Sequence, residues 1–96
     1  MVLDFEWDPA KSELNKKKHG ISFDEALEIW NGVDMTVKEI AKSQDGESRS
    51  ATIGFVGDKL YTAIWTERGQ KKRLISVRRS REGEKEIFYQ FTIQNG

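Results

Sequence analysis

Ninety-six residues, 36% of them hydrophobic, with three Trp, five Phe, two Tyr and no cysteine, predict one domain over residues 1–96 whose core comes from packing alone, and exclude a disulfide framework or a thiolate metal site. The formal net charge is zero, yet residues 1–48 carry 6 Lys/Arg against 11 Asp/Glu (net −5) and residues 49–96 carry 10 against 5 (net +5), so the C-terminal half is the one suited to a polyanion. No apolar run approaches the roughly 20 residues that span a bilayer, and the start lacks the basic and apolar regions of a signal peptide, which predicts a cytoplasmic chain with no membrane partner.

In chain order, Phe5-Glu6-Trp7 reads as a short extended stretch, and Asp8 as the N-cap of a helix with Pro9 at its first position. That helix carries a thin apolar stripe of Ala10 and Leu14. It places Lys16-Lys17-Lys18-His19 at the negative end of its dipole and ends at Gly20. Ser22-Phe23-Asp24-Glu25 is a capping box opening a second helix, in which Phe23, Ala26, Leu27 and Trp30 fall at i, i+3, i+4 and i+7 up to Asn31-Gly32. The texture then changes to period two.

A short strand is expected at Met35-Thr36-Val37 and a loop over Lys42–Glu47. Arg49–Val56 alternates Ala51, Ile53 and Phe55 against Ser50, Thr52 and Gly54. Leu60–Thr66 alternates Tyr61, Ala63 and Trp65 against Thr62, Ile64 and Thr66. Gly57-Asp58 turns between them, and Arg68-Gly69-Gln70 reads as a three-residue hairpin loop. On the last strand strict alternation sets Arg73, Ile75 and Val77 against Lys72, Leu74 and Ser76, and makes Arg78 and Arg79 point oppositely. Ser80 is expected to cap a closing helix with Glu82 and Glu84 near its positive end and Ile87, Phe88 and Phe91 on its apolar side, fraying from Thr92. The order is helix, helix, meander, helix. It predicts an α+β fold with an antiparallel meander of about four strands and the helices packed on one face.

One histidine and no cysteine leave no credible transition-metal set, and no glycine-rich run opens a helix to cradle phosphates, so no cofactor is expected. What remains is basic: Arg49, Arg68, Lys71, Lys72, Arg73, Arg78, Arg79 and Arg81. Guanidinium groups suit phosphate and the extra charge of a pentacoordinate transition state, and Trp65, Tyr61 and Phe55 in the same meander could stack on unpaired bases. The plainer reading makes the cations solvated or paired with Glu67, Glu82 or Glu84, and makes the aromatics core. His19 reads equally as a helix-end cation and as a proton-transfer group.

Phe5-Glu6-Trp7-Asp8, Lys11, Asn15, Lys18-His19-Gly20, Ser22-Phe23 and Glu25-Ala26 resemble the opening signature of the BrnT family of bacterial toxins. Glu47, Arg49, Gly54, Thr66-Glu67-Arg68-Gly69 and Arg73-Leu74-Ile75-Ser76-Val77-Arg78-Arg79-Ser80 resemble its later strands, so the likeness runs from Phe5 to Phe88. The family commonly has Ala at the positions of Val77 and Ser80 and Tyr at that of Phe88. The resemblance implies a RelE-like fold and a ribonuclease toxin that arrests translation by cutting RNA. It also implies neutralisation by a BrnA-like ribbon-helix-helix antitoxin, with DNA met only through the autoregulating toxin–antitoxin complex.

For such a reaction RNA supplies its own nucleophile, the 2′-OH, so cleavage is expected to be metal-free. Arg68 and Arg78 are then expected on the phosphate with Arg49 in support, His19 or else Glu47 in proton transfer, and Lys18 on a backbone phosphate. Lys71, Lys72, Arg73, Arg79 and Arg81 are expected to bind the rest of the strand. A binding module using the same basic surface without chemistry is the alternative.

Overall fold

The Asp8 carboxylate accepts the Ala10 N–H at 2.9 Å, and Gly20, at φ 78°, ends the same helix with its own N–H on the Lys16 carbonyl. The computed structural model describes residues 4–42 and 46–95. Its elements are β1 (Phe5–Glu6), α1 (Pro9–His19), α2 (Phe23–Ala26) continued by a 3₁₀ turn (Leu27–Asn31), β2 (Asp34–Lys42), β3 (Ser48–Val56), β4 (Lys59–Arg68), β5 (Lys71–Arg79) and α3 (Glu82–Asn95). The sheet order is β1-β5-β4-β3-β2, antiparallel except for β1, which runs parallel to β5. The fold is therefore α+β with a mixed five-stranded sheet and three helices. The expected four-stranded antiparallel meander omits β1, which at two residues is too short to show a period.

The helices do not share one face. Phe23, Ala26 and Ile29 pack on Ala63, Trp65, Leu74 and Val77, which puts α1, α2 and the 3₁₀ turn on one side. Phe88 packs on Met35, Ile53 and Leu60, of opposite parity on the same strands, so α3 covers the other side. We call these the α1 face and the α3 face. Both parities of β3 and β4 are buried at the covered end, which period-two patterning cannot assign to one side or the other.

Three local expectations change. The second helix tightens to 3₁₀ after Ala26, so the buried line runs Phe23, Ala26, Ile29 at a period of three, and Leu27 and Trp30 are only partly buried. Close approach explains Gly54: a Cβ there would lie 2.7 Å from the Ile29 carbonyl oxygen. In α1 the expected apolar stripe is not the packed side, since Leu14 is 62% exposed while Ser12 and Asn15 are buried. These two make specific bonds: the Ser12 hydroxyl accepts the Phe23 N–H, and the Asn15 amide donates to the Ile21 and Val77 carbonyls and accepts the Val77 N–H. Asn15 thereby serves as a ladder partner for β5 beyond the end of β1.

The most consequential change is in β5. Ile64 pairs with Ser76 but Trp65 pairs with Leu74, so Ile75 is an extra residue, a bulge. Strict alternation put Arg73 and Val77 on one face. The bulge separates them, leaving Leu74 and Val77 both on the α1 face and Arg73 on the other. The β4–β5 loop has two residues rather than three, with Gly69 at φ 63°. β2 runs to Lys42 and is longer than expected, while residues 43–45 of the expected loop lie outside the described residues. Ser80 is not the cap of α3: its hydroxyl bonds Thr62, and the Glu84 carboxylate closes the helix start on the Arg81 N–H.

Candidate nucleic-acid interface

Cross-strand partners in a sheet share a face, and alternate residues on one strand change face. Glu6 pairs with Arg73, and Arg73 with Thr66; one step beyond the Ser50–Trp65 pair, Arg49 stands across from Thr66. Glu6, Arg73, Thr66 and Arg49 thus form one row over four strands. Thr66 is four residues from Thr62, which bonds Glu84 of α3, so the row belongs to the α3 face, at the end away from Phe88. Two residues further on, Arg68 pairs with Lys71 and meets Glu47, the residue before β3, making a second row beside the first. Neighbouring strands lie about 4.8 Å apart and the rows about 7 Å apart. Four cations, Arg49, Arg68, Lys71 and Arg73, therefore share one patch with the carboxylates of Glu6 and Glu47.

Each of those carboxylates is held by an arginine. Arg73 Nη1 donates to Glu6 Oε2 at 2.9 Å, and Arg68 donates to Glu47 through Nε at 3.0 Å and Nη2 at 3.4 Å. About a third of each carboxylate side chain is exposed, at 31% for Glu6 and 32% for Glu47. A guanidinium has five N–H donors. One or two of these go to the carboxylate.

Arg78 is not brought into this patch. It opposes Thr62, four residues from Thr66 and about 13 Å along the sheet, and gives both ends of its fork to Glu84 at 2.7 and 2.8 Å under α3. Glu84 also accepts from Thr62 and from the Arg81 N–H. Chiefly through the Arg78 hydrogen bonds, its carboxyl is lowered to about 2 against the opposing effect of burial, and Arg78 is raised in turn. Pairing with Glu84 is the plainer of the two fates considered for this arginine.

The other expected site residues lie elsewhere. Arg79 does point opposite to Arg78, with its guanidinium 5.7 Å from the Tyr61 ring, and Lys72 stands 4.7 Å over Trp65; both are on the α1 face. Arg81 is exposed beside the start of α3. Lys18 and His19, with Lys11, Leu14 and Asn15, line a depression against Ile75 and Ser76 at the outer margin of β5. His19 is thus with Lys18 at the margin of β5, apart from the arginine rows. Trp65 is 2% exposed and donates its indole N–H to Thr52, and Phe55 rests edge-on against Phe88, so neither offers a free ring to the patch.

Glu6 is the site residue that sequence reasoning missed. A signal existed: with Phe5 against Trp30 and Trp7 against Phe23 in the core, the residue between them must face the other way. Its partner is 67 residues distant, which nothing in the sequence marks.

The model of one protein family, described as the ribonuclease toxin BrnT of type II toxin–antitoxin systems, matches residues 7–84. Among solved structures the chain is similar to the 1.1 Å crystal structure of the Brucella abortus ribonuclease toxin BrnT, at 21% identity and a TM-score of 0.63, covering 84% of this chain and all of that one. At that identity the likeness is one of fold. No curated protein sequence matches the chain.

Proposed function

Because this chain belongs to the BrnT family of ribonuclease toxins of type II toxin–antitoxin systems, we propose that it cuts RNA without a metal on the open end of its α3 face. The observation that carries this reading is the convergence of Arg49, Arg68 and Arg73 from three strands onto two adjacent rows, with carboxylates in hydrogen-bonding contact with two of them. Arg49, Arg68 and Arg73 hold the scissile phosphate and neutralise the phosphorane, and Lys71 steadies the neighbouring phosphate. Arg73 takes the role first expected of Arg78, whose fork is filled by Glu84.

Glu47 accepts the 2′-OH proton. Of the two candidates for that step it is the one beside the arginines, whereas His19 lines the depression against Ile75 and Ser76 at the margin of β5. Lys18, with His19 and Lys11, makes a secondary cationic margin for RNA outside the cleavage point. The partner is a ribbon-helix-helix antitoxin, the chain meets DNA only in complex with it, and the place of action is the cytoplasm.

The test is cleavage of total RNA by purified protein with chelator present, comparing wild type with Arg49→Ala and Arg73→Ala. Each variant is expected to cut at least tenfold more slowly, and induced wild type to arrest growth unless the neighbouring reading frame is co-expressed. Undiminished cutting by both variants removes the arginine rows from the mechanism. RNA binding without any cutting would favour a non-catalytic binding module, a reading to which the existing carboxylate partners of Arg68 and Arg73 lend some weight.

A further inference from the structure

In-line cleavage by a 2′-OH needs proton transfer at two oxygens on opposite sides of phosphorus: the entering O2′ loses a proton and the departing O5′ gains one. Glu47 meets one of these needs. On the same sheet face a second carboxylate stands at the far end of the arginine row, Glu6 on β1, bonded to Arg73 as Glu47 is bonded to Arg68. It lies one residue before the segment that the family model matches.

Resting on the reading above, we propose that Glu6 is the second proton-transfer residue of this site, the general acid that protonates O5′ while Glu47 takes the proton from O2′. The two carboxylates come from β1 and from the residue before β3, three strand spacings and one row apart with β5 and β4 between them, or about 16 Å from backbone to backbone. Arg49, Arg73 and Arg68 lie between, where the phosphorane charge would develop.

The step balances with these groups alone. The O2′–H proton passes to the Glu47 carboxylate as O2′ bonds to phosphorus. The P–O5′ bond then breaks and O5′ takes the proton of the Glu6 carboxylic acid, giving a 2′,3′-cyclic phosphate and a 5′-OH end. Solvent afterwards returns a proton to Glu6 and removes one from Glu47. The step therefore requires a proton on Glu6 and none on Glu47 at its start.

The test pairs two substrates: an oligoribonucleotide containing a site that wild type cuts, and a nucleoside 3′-(p-nitrophenyl phosphate), whose leaving group departs without a proton. Glu6→Gln is expected to lower kcat on RNA about 100-fold with KM little changed, and to cut the p-nitrophenyl ester within a few-fold of wild type. Glu47→Gln is expected to be slow on both substrates. Glu6→Asp, which retains the acid on a shorter arm, is expected to show the same dependence on leaving group in smaller measure, and it serves if the glutamine variant folds poorly. Equal losses on both substrates, or none, would overturn the role of Glu6. If Arg49→Ala also cuts RNA normally, the failure lies in the reading of the whole face; if Arg49→Ala is impaired, only the assignment of Glu6 falls.

Discussion

Asn15 uses its amide more fully than any apolar residue could use its place, since it joins α1 to the Ile21 carbonyl and to both backbone groups of Val77. It is 6% exposed, so removing it leaves those backbone groups short of partners in a site that water barely reaches. Asn15→Ala is expected to cost about 3 kcal/mol and to lower Tm by roughly 10–20 °C for a chain of this length, measurable by thermal unfolding. Leu14 beside it is largely exposed, and Leu14→Ala is the natural control in the same helix turn. Ser12 shows the same principle on a smaller scale, accepting the first N–H of α2. Polar residues here do the docking that an apolar stripe does in most surface helices.

At the scale of elements, α3 is fastened to the sheet by Glu84, whose carboxylate takes both ends of Arg78, the Thr62 hydroxyl and the Arg81 N–H. A carboxyl lowered to about 2 in the folded chain, against an ordinary value of 4.5, binds fewer protons folded than unfolded. Its stabilising contribution is therefore complete above about pH 4.5 and is lost as pH falls from there towards 2. Glu84→Gln is expected to flatten that part of the stability-versus-pH curve and to cost about 1.5–3 kcal/mol near neutrality, by denaturant unfolding at several pH values. The surface pair Lys16–Glu25 acts in the same direction, with Glu25 also lowered to about 2 by its bonds to Lys16 and Ser22. Comparing the variant with wild type isolates the α3 contribution from it. The β5 bulge is the other decisive element, because one extra residue at Ile75 sends Arg73 to the α3 face while Leu74 and Val77 both enter the core.

Over the whole molecule, a net charge of zero conceals a face that, among the described residues, gathers Arg49, Arg68, Lys71 and Arg73 beside Glu6 and Glu47, at the end of the sheet that α3 leaves uncovered. Single-stranded RNA lying over Arg49, Arg68 and Arg73 would displace about three counterions. The logarithm of its affinity is then expected to fall with the logarithm of salt concentration at a slope near −2, and Arg49→Ala to reduce the slope by about 0.7. Titrating a short 2′-O-methyl oligoribonucleotide, which resists cutting, over a range of salt measures this directly. A slope near zero would mean that the existing arginine–carboxylate pairs do not open to phosphate.

The sequence by itself determined the helix boundaries at Asp8, Gly20 and Ser22, the three long strands, the basic character of the second half and, through its motifs, the family. These depend on caps, period and composition, which are local. Only the tertiary structure decided which arginines stand together. Arg78 looked equivalent to Arg68 until α3 was seen to bring Glu84 against it, and Arg73 changed face through a bulge that no alternation rule reports. Glu6 joined the site from the other end of the chain because a two-residue strand runs parallel to β5. Pairing of residues 67 positions apart depends on how layers stack, and local preferences along a chain carry no record of it.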